Sequence, residues 1–168
     1  DKMPIRSLYS PLMAKLLPEQ RYIFSIRHPY DVALSCFKQR FKPNGAMSSF
    51  LSFADTVQLY DFAMTTWFKD HSLDDPLVHY VRYNQLVTNF EEKVRKTLTF
   101  LGLDWDAAVL DFAEHAAARG TKTPSYRKVR QGLSIGVQTY WKDYSFAFKQ
   151  RDAAPLTKWA KFFGYDTV

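Results

Sequence analysis

The chain has 168 residues, 46% hydrophobic and 17% aromatic, a composition that favours a globular core over disorder and is enough for one well-packed domain. Its single cysteine, Cys36, excludes an intrachain disulfide framework and a multi-cysteine zinc site. The net charge of +6 is unevenly spread: residues 1–118 sum to −1 and residues 119–168 to +7.

Apolar positions at Ile5, Leu8, Leu12, Leu16 and Leu17 predict a helix over residues 5–17 that ends before Pro18. Tyr22–Ile26 follows as a short strand of β-branched and aromatic residues. Pro29 breaks the pattern, and Asp31 is suited to cap a helix through Val32, Ala33 and Leu34. Arg27 therefore stands at a strand's carboxyl end, where open α/β sheets place their ligands. Ser35 lies eight residues later, about one helical turn past the cap. A guanidinium and a hydroxyl converging there suit a phosphate monoester, although an ordinary strand-turn-helix would carry the same residue types. Cys36, next in the predicted helix, reads as a buried, inert thiol.

Phe41-Lys42-Pro43-Asn44-Gly45 reads as a turn, and apolar spacing from Ser48 to about Lys69 predicts a long helix capped by Ser48 or Ser49. After the break at Asp74-Asp75-Pro76, Leu77–Val81 is a second strand with Tyr83 at its carboxyl end. An amphipathic helix runs from Asn89 to Leu101 with Gly102 as its stop, and another covers Trp105–Ala118. Residues 119–134 are irregular, polar and basic, with Arg119, Lys122, Arg127, Lys128 and Arg130 close together. Such a run suits a solvated loop, an anion clamp or a nucleic-acid patch. A short helix around Gln138–Tyr144 and a last one over Pro155–Phe163, with Gly164 after its end, complete the chain. Without repeats or linkers, residues 1–168 read as a single α/β domain. His28, His71, His79 and His115 show no ligand spacing, so no metal is expected.

The run Arg27-His28-Pro29-Tyr30-Asp31 followed by Ser35 resembles the 3′-phosphate-binding segment of sulfotransferases that use 3′-phosphoadenosine-5′-phosphosulfate (PAPS). Three more segments agree in order and spacing. Tyr80-Val81-Arg82-Tyr83-Asn84-Gln85-Leu86-Val87, continuing to Phe100-Leu101-Gly102, is similar to the family strand whose tyrosine lies near the nucleotide. Thr123-Pro124-Ser125-Tyr126-Arg127-Lys128-Val129-Arg130, with Trp141-Lys142-Asp143-Tyr144 downstream, resembles the PAPS loop of tyrosylprotein sulfotransferases and their bacterial relatives. Asp1-Lys2-Met3-Pro4 looks like the family's Asn/Asp-Lys-x-Pro. Tyr140 stands where relatives often carry Lys or Arg, and Gln39 where they carry an arginine, with Arg40 displaced by one residue.

The resemblance implies a P-loop NTPase-like sulfotransferase fold of α/β class, helix-rich with few parallel strands. In the family, the 5′-phosphosulfate loop and the acidic catalytic base precede Asp-Lys-x-Pro, so a fold incomplete at its N-terminus is expected. By the same resemblance Arg27 and Ser35 bind the 3′-phosphate, Tyr83 and Arg130 contact the nucleotide, and Lys2 and Ser125 act at the transferring group. The implied donor is PAPS, without a metal. The acceptor is a hydroxyl of protein tyrosine, carbohydrate or a small molecule. The rival expectations are a non-catalytic remnant that binds nucleotide or a partner, and, on the basic tail alone, a nucleic-acid binder. No apolar run approaches the ~20 residues of a membrane span, and the start does not read as a secretory signal, so a cytoplasmic protein is expected.

Overall fold

The computed structural model describes residues 4–39, 41–42, 44–119 and 139–168. Lys2, Ser125 and Arg130 lie outside the described residues.

Two parallel strands, β1 (Tyr22–Ile26) and β2 (Val78–Arg82), pair in register from Tyr22 with Val78 to Ile26 with Arg82. Parallel neighbours need a long crossover, here provided by helices α2 (Pro29–Lys38) and α3 (Phe53–Asp70). Because side chains alternate along a strand, Tyr22, Phe24 and Ile26 share one face with Val78, Tyr80 and Arg82. Phe24 lies 4.5 Å from the Trp67 ring and 5.6 Å from that of Tyr80. Behind them, Ile26, Trp159 and Phe163 form a buried cluster. On the other face His79 stacks on Phe100 of α5 (Phe90–Leu101), whereas Ile23 of β1 stays exposed.

The larger core joins α2 to the end of the chain. Tyr30, Ala33 and Leu34 pack on Val57 of α3 and on Trp141, Phe148, Ala153 and Leu156. Tyr30 stacks on Phe148 at 4.3 Å, and its hydroxyl lies 2.8 Å from Thr157 Oγ1. Leu156 and Trp159 belong to the C-terminal helix, Ala154–Phe162, which packs against both α2 and α3.

Several boundaries differ from expectation for local reasons. The first helical stretch splits into a 3-10 segment, Pro4–Tyr9, and α1, Ser10–Leu16. Pro11 lacks the N–H that would carry one ladder into the other. Leu12, Leu16 and Leu17 of this region remain exposed. Helix α2 is capped by His28 rather than Asp31, with Pro29 at its first position. Helix α3 starts at Phe53 with Ser52 as its cap, because Met47–Leu51 is a separate 3-10 turn held by Asn44 Oδ1. Beyond β2, α4 (Tyr83–Thr88) opens on Tyr83 itself. The expected helix over Trp105–Ala118 divides at Asp111, since Asp106 caps a 3-10 turn before α6 (Phe112–Arg119). The expected helix at Gln138–Tyr144 is a 3-10 segment, Tyr140–Tyr144, followed by a short helix, Ser145–Phe148.

Gly164 has φ of 71°, where a Cβ would be strained, and ends the C-terminal helix with bonds from its own N–H to Lys161 O and from Tyr165 N–H to Ala160 O. The turn returns the chain towards the carboxyl ends of the strands. Truncating the fully buried Leu156 to alanine is expected to cost ~2–5 kcal/mol of unfolding free energy. Leu51→Ala, at a position 76% exposed, should stay within about 0.5 kcal/mol in the same urea titration.

Candidate functional site

A cleft of about 240 Å³ opens at the carboxyl ends of both strands. Arg27 and His28 enter from the end of β1, and Tyr83 and Asn84 from the end of β2. Trp141 and Lys142 come from the 3-10 segment, and Tyr165 and Asp166 from beyond Gly164. The Arg27 guanidinium lies 5.4 Å from the Tyr83 ring centroid, so these two expected site residues meet. Ser35 does not join them in the lining. It is half-buried on α2, one turn beyond Asp31 and on the same face.

His28 forms the floor. Its ring lies 4.8 Å from that of Trp141 and 5.0 Å from those of Tyr30 and Tyr165. Tyr30 N–H points at Nδ1 at 3.3 Å, so the ring's hydrogen sits on Nε2 and is donated to the Asp166 carbonyl at 3.1 Å. Burial is the main cause that pushes the His28 pKa down to about 4, and the Arg27 and Lys142 cations act in the same direction. The imidazole is therefore neutral at pH 7, a helix cap and a stacking surface rather than a third cation.

Asp31 lies beneath Arg27. Its carboxylate accepts from the Trp141 backbone N–H at 3.1 Å and stands 3.8 Å from the guanidinium. Burial raises its pKa, with Arg27 and the Trp141 bond opposing the shift. At the other end of α2, the Lys38 ammonium sits over the Tyr140 and Tyr144 rings, 4.5 and 4.9 Å from their centroids, and donates to both hydroxyls. The helix and the 3-10 segment are thus tied at two points. Arg82 donates to the Phe163 carbonyl at 2.6 Å and lies over the Tyr165 ring, fastening the chain end to β2.

Arg27 and Lys142 give the cleft two cations, and the Tyr83, Trp141 and Tyr165 rings give it flat walls. That combination suits an anion joined to a planar ring. Sequence reasoning missed His28, Asn84, Lys142, Tyr165 and Asp166 as cleft residues. Pro29 at a helix start was the available signal for His28, because proline favours the first helical turn and leaves its predecessor as cap. Burial raises the Cys36 thiol pKa, in keeping with an inert role. Among the described residues no group of His, Cys, Asp or Glu could hold a metal ion, and no helix is long and apolar enough to cross a membrane.

Residues 1–107 match the sulfotransferase family. The chain is 26% identical over 148 residues to an uncharacterized protein of Aquifex aeolicus (strain VF5), covering 86% of this chain and 19% of that protein. Its fold is similar to that of the sulfotransferase domain from the curacin biosynthetic pathway, with a TM-score of 0.71 and 17% identity, covering the whole of this chain and 62% of that domain. The chain thus spans under two thirds of the length of both.

Since His28 titrates near 4 when folded and near 6.5 when unfolded, the unfolded chain takes up the proton first as pH falls. Stability is expected to be full above pH 6.5 and to decline towards pH 4, by ~3 kcal/mol for a shift of this size. In His28→Asn, which keeps a capping acceptor but cannot titrate, urea midpoints measured across that window should fall much less. A residual slope is expected from His79, whose pKa is also lowered by burial.

Proposed function

The chain belongs to the sulfotransferase family, and we propose that its cleft binds the 3′-phosphate side of PAPS in transfer of a sulfuryl group to an acceptor hydroxyl. The observation that carries this reading is Arg27 at the end of β1, set against the Tyr83 ring in a cleft that also holds Lys142. Arg27 offers a planar fork of N–H donors to the phosphate, and Lys142 adds a mobile point charge. The neutral His28 floor and the Trp141 and Tyr165 rings supply apolar surface for the nucleoside. Ser35, one turn further along α2, would donate its hydroxyl to the same phosphate.

In the transfer, the bond from sulfur to the acceptor oxygen forms as the bond from sulfur to the phosphate oxygen breaks. The acceptor proton leaves to a base, and the adenosine 3′,5′-bisphosphate departs with the added negative charge. Lys2 and Ser125 would steady oxygens that become more negative, and Arg130 would add a cation to the nucleotide phosphates. Chemistry of this kind needs positioning and charge stabilisation more than covalent help from the protein. The family resemblance of their segments supports these three roles.

Calorimetric titration with adenosine 3′,5′-bisphosphate and adenosine 5′-monophosphate tests the reading. Loss of a charge-assisted contact in Arg27→Ala should weaken the bisphosphate by about 10- to 100-fold and the monophosphate by less than about threefold. Equal losses for the two ligands would overturn the assignment.

A further inference from the structure

We infer that Asp31 is a positioning residue for the anion grip, holding the Arg27 guanidinium and the Trp141 segment in one fixed relation. The inference rests on the proposed binding of a 3′-phosphate nucleotide and extends it to an acidic residue of the cleft lining, whose charge would repel the phosphate directly.

An aspartate in the first turn of a helix ordinarily serves the helix's own N–H groups. Here that service is already performed by His28, whose Nδ1 faces the Tyr30 N–H. The Asp31 side chain instead reaches across 110 positions of sequence to the Trp141 N–H. It is almost completely buried, 1% exposed against 25% for the arginine it faces. A carboxylate in such a place is costly unless it is paired and hydrogen-bonded. Its two oxygens differ: Oδ1 accepts from the amide, whereas Oδ2 is buried without a hydrogen-bond partner among the described residues and has only the Arg27 charge, 3.8 Å away, to offset its burial.

The guanidinium is a rigid planar fork, so fixing one of its nitrogens fixes the direction of the others. The Asp31 charge, 3.8 Å from one of those nitrogens, therefore favours one orientation of the edge that Arg27 presents to the cleft. The same carboxylate holds the backbone that carries Trp141 and Lys142, both of which line that cleft. The two cations of the site are thus referenced to a single buried anion. This arrangement trades some positive potential for geometry, because the carboxylate also repels an incoming phosphate. The sign of its effect on binding separates a positioning role from an incidental one.

Asp31→Asn keeps the shape and an acceptor for the Trp141 N–H while removing the charge. Calorimetry on the full chain, with adenosine 3′,5′-bisphosphate and adenosine 5′-monophosphate, reads the preference for the 3′-phosphate. That preference is expected to fall ~10-fold in Asp31→Asn, with the monophosphate changed less than about twofold. In an Arg27→Ala background the same change should have no further effect on the preference, since Asp31 acts through Arg27. Asp31→Glu, which keeps the charge and moves it by one methylene, is expected to lose the preference likewise and serves if the asparagine variant does not fold. An unchanged or increased preference in these variants, or independent effects of positions 27 and 31, would overturn the inference and leave the proposed function standing. Absence of any 3′-phosphate preference in the unaltered chain would instead overturn the proposed function, and this inference with it.

Discussion

Leu156, Trp159 and Phe163 bury themselves against α2, α3 and the sheet, and this packing holds residues 139–168 over the carboxyl ends of the strands. Everything at the cleft depends on that seat. The strands bring only Arg27, His28, Tyr83 and Asn84 to the site, which is one wall and part of a floor. Trp141, Lys142, Tyr165 and Asp166 arrive because the C-terminal helix is fixed on one side and turned at Gly164 on the other. The area term that drives such packing is non-directional. Direction comes from the polar contacts at its edge, the Arg82 bond to the Phe163 carbonyl and the Lys158 and Trp159 bonds to Asp61.

The cleft separates charge from shape. Arg27 and Lys142 are its cations, and both lie at the margin of a floor made of rings. His28 could have been a third cation, but burial, aided by the Arg27 and Lys142 charges, keeps it neutral at pH 7 against the opposing pull of its bond to the Asp166 carbonyl. A neutral floor lets a flat, uncharged ring system lie close without desolvating a charge. In the proposed binding mode, the positive groups would act on the anionic part of the nucleotide and the rings on its flat part.

Features governed by neighbouring residues were legible in the sequence. Tyr22–Ile26 forms the expected strand, and the second strand is shifted by one residue to Val78–Arg82. Gly102 and Gly164 end their helices with positive φ, as their positions suggested. The placement of Arg27 and Tyr83 at adjacent strand ends followed from the same pattern, and the structure brings them together. Less legible were choices between competing local signals. Asp31 has good capping chemistry, yet Pro29 fixes the helix start two residues earlier and releases the carboxylate for a distant amide. Ser48, Ser49 and Ser52 could each cap a helix, and only the Asn44 turn decides among them. Wholly illegible was the arrival of Asp166 at His28, because nothing in either segment's local pattern names the other.

The contacts that complete the cleft join residues far apart in sequence: 138 positions separate His28 from Asp166, 110 separate Asp31 from Trp141, and 81 separate Arg82 from Phe163. Closing loops of that length costs entropy before any contact rewards it. The cleft is therefore complete only when residues 139–168 are seated on the rest of the molecule. A chain that has folded its helices but not yet seated its final segment has half a floor and one of two cations. Ligand occupancy then reports the completeness of folding rather than its onset, and a ligand that binds the finished cleft draws the whole folding equilibrium towards the native state.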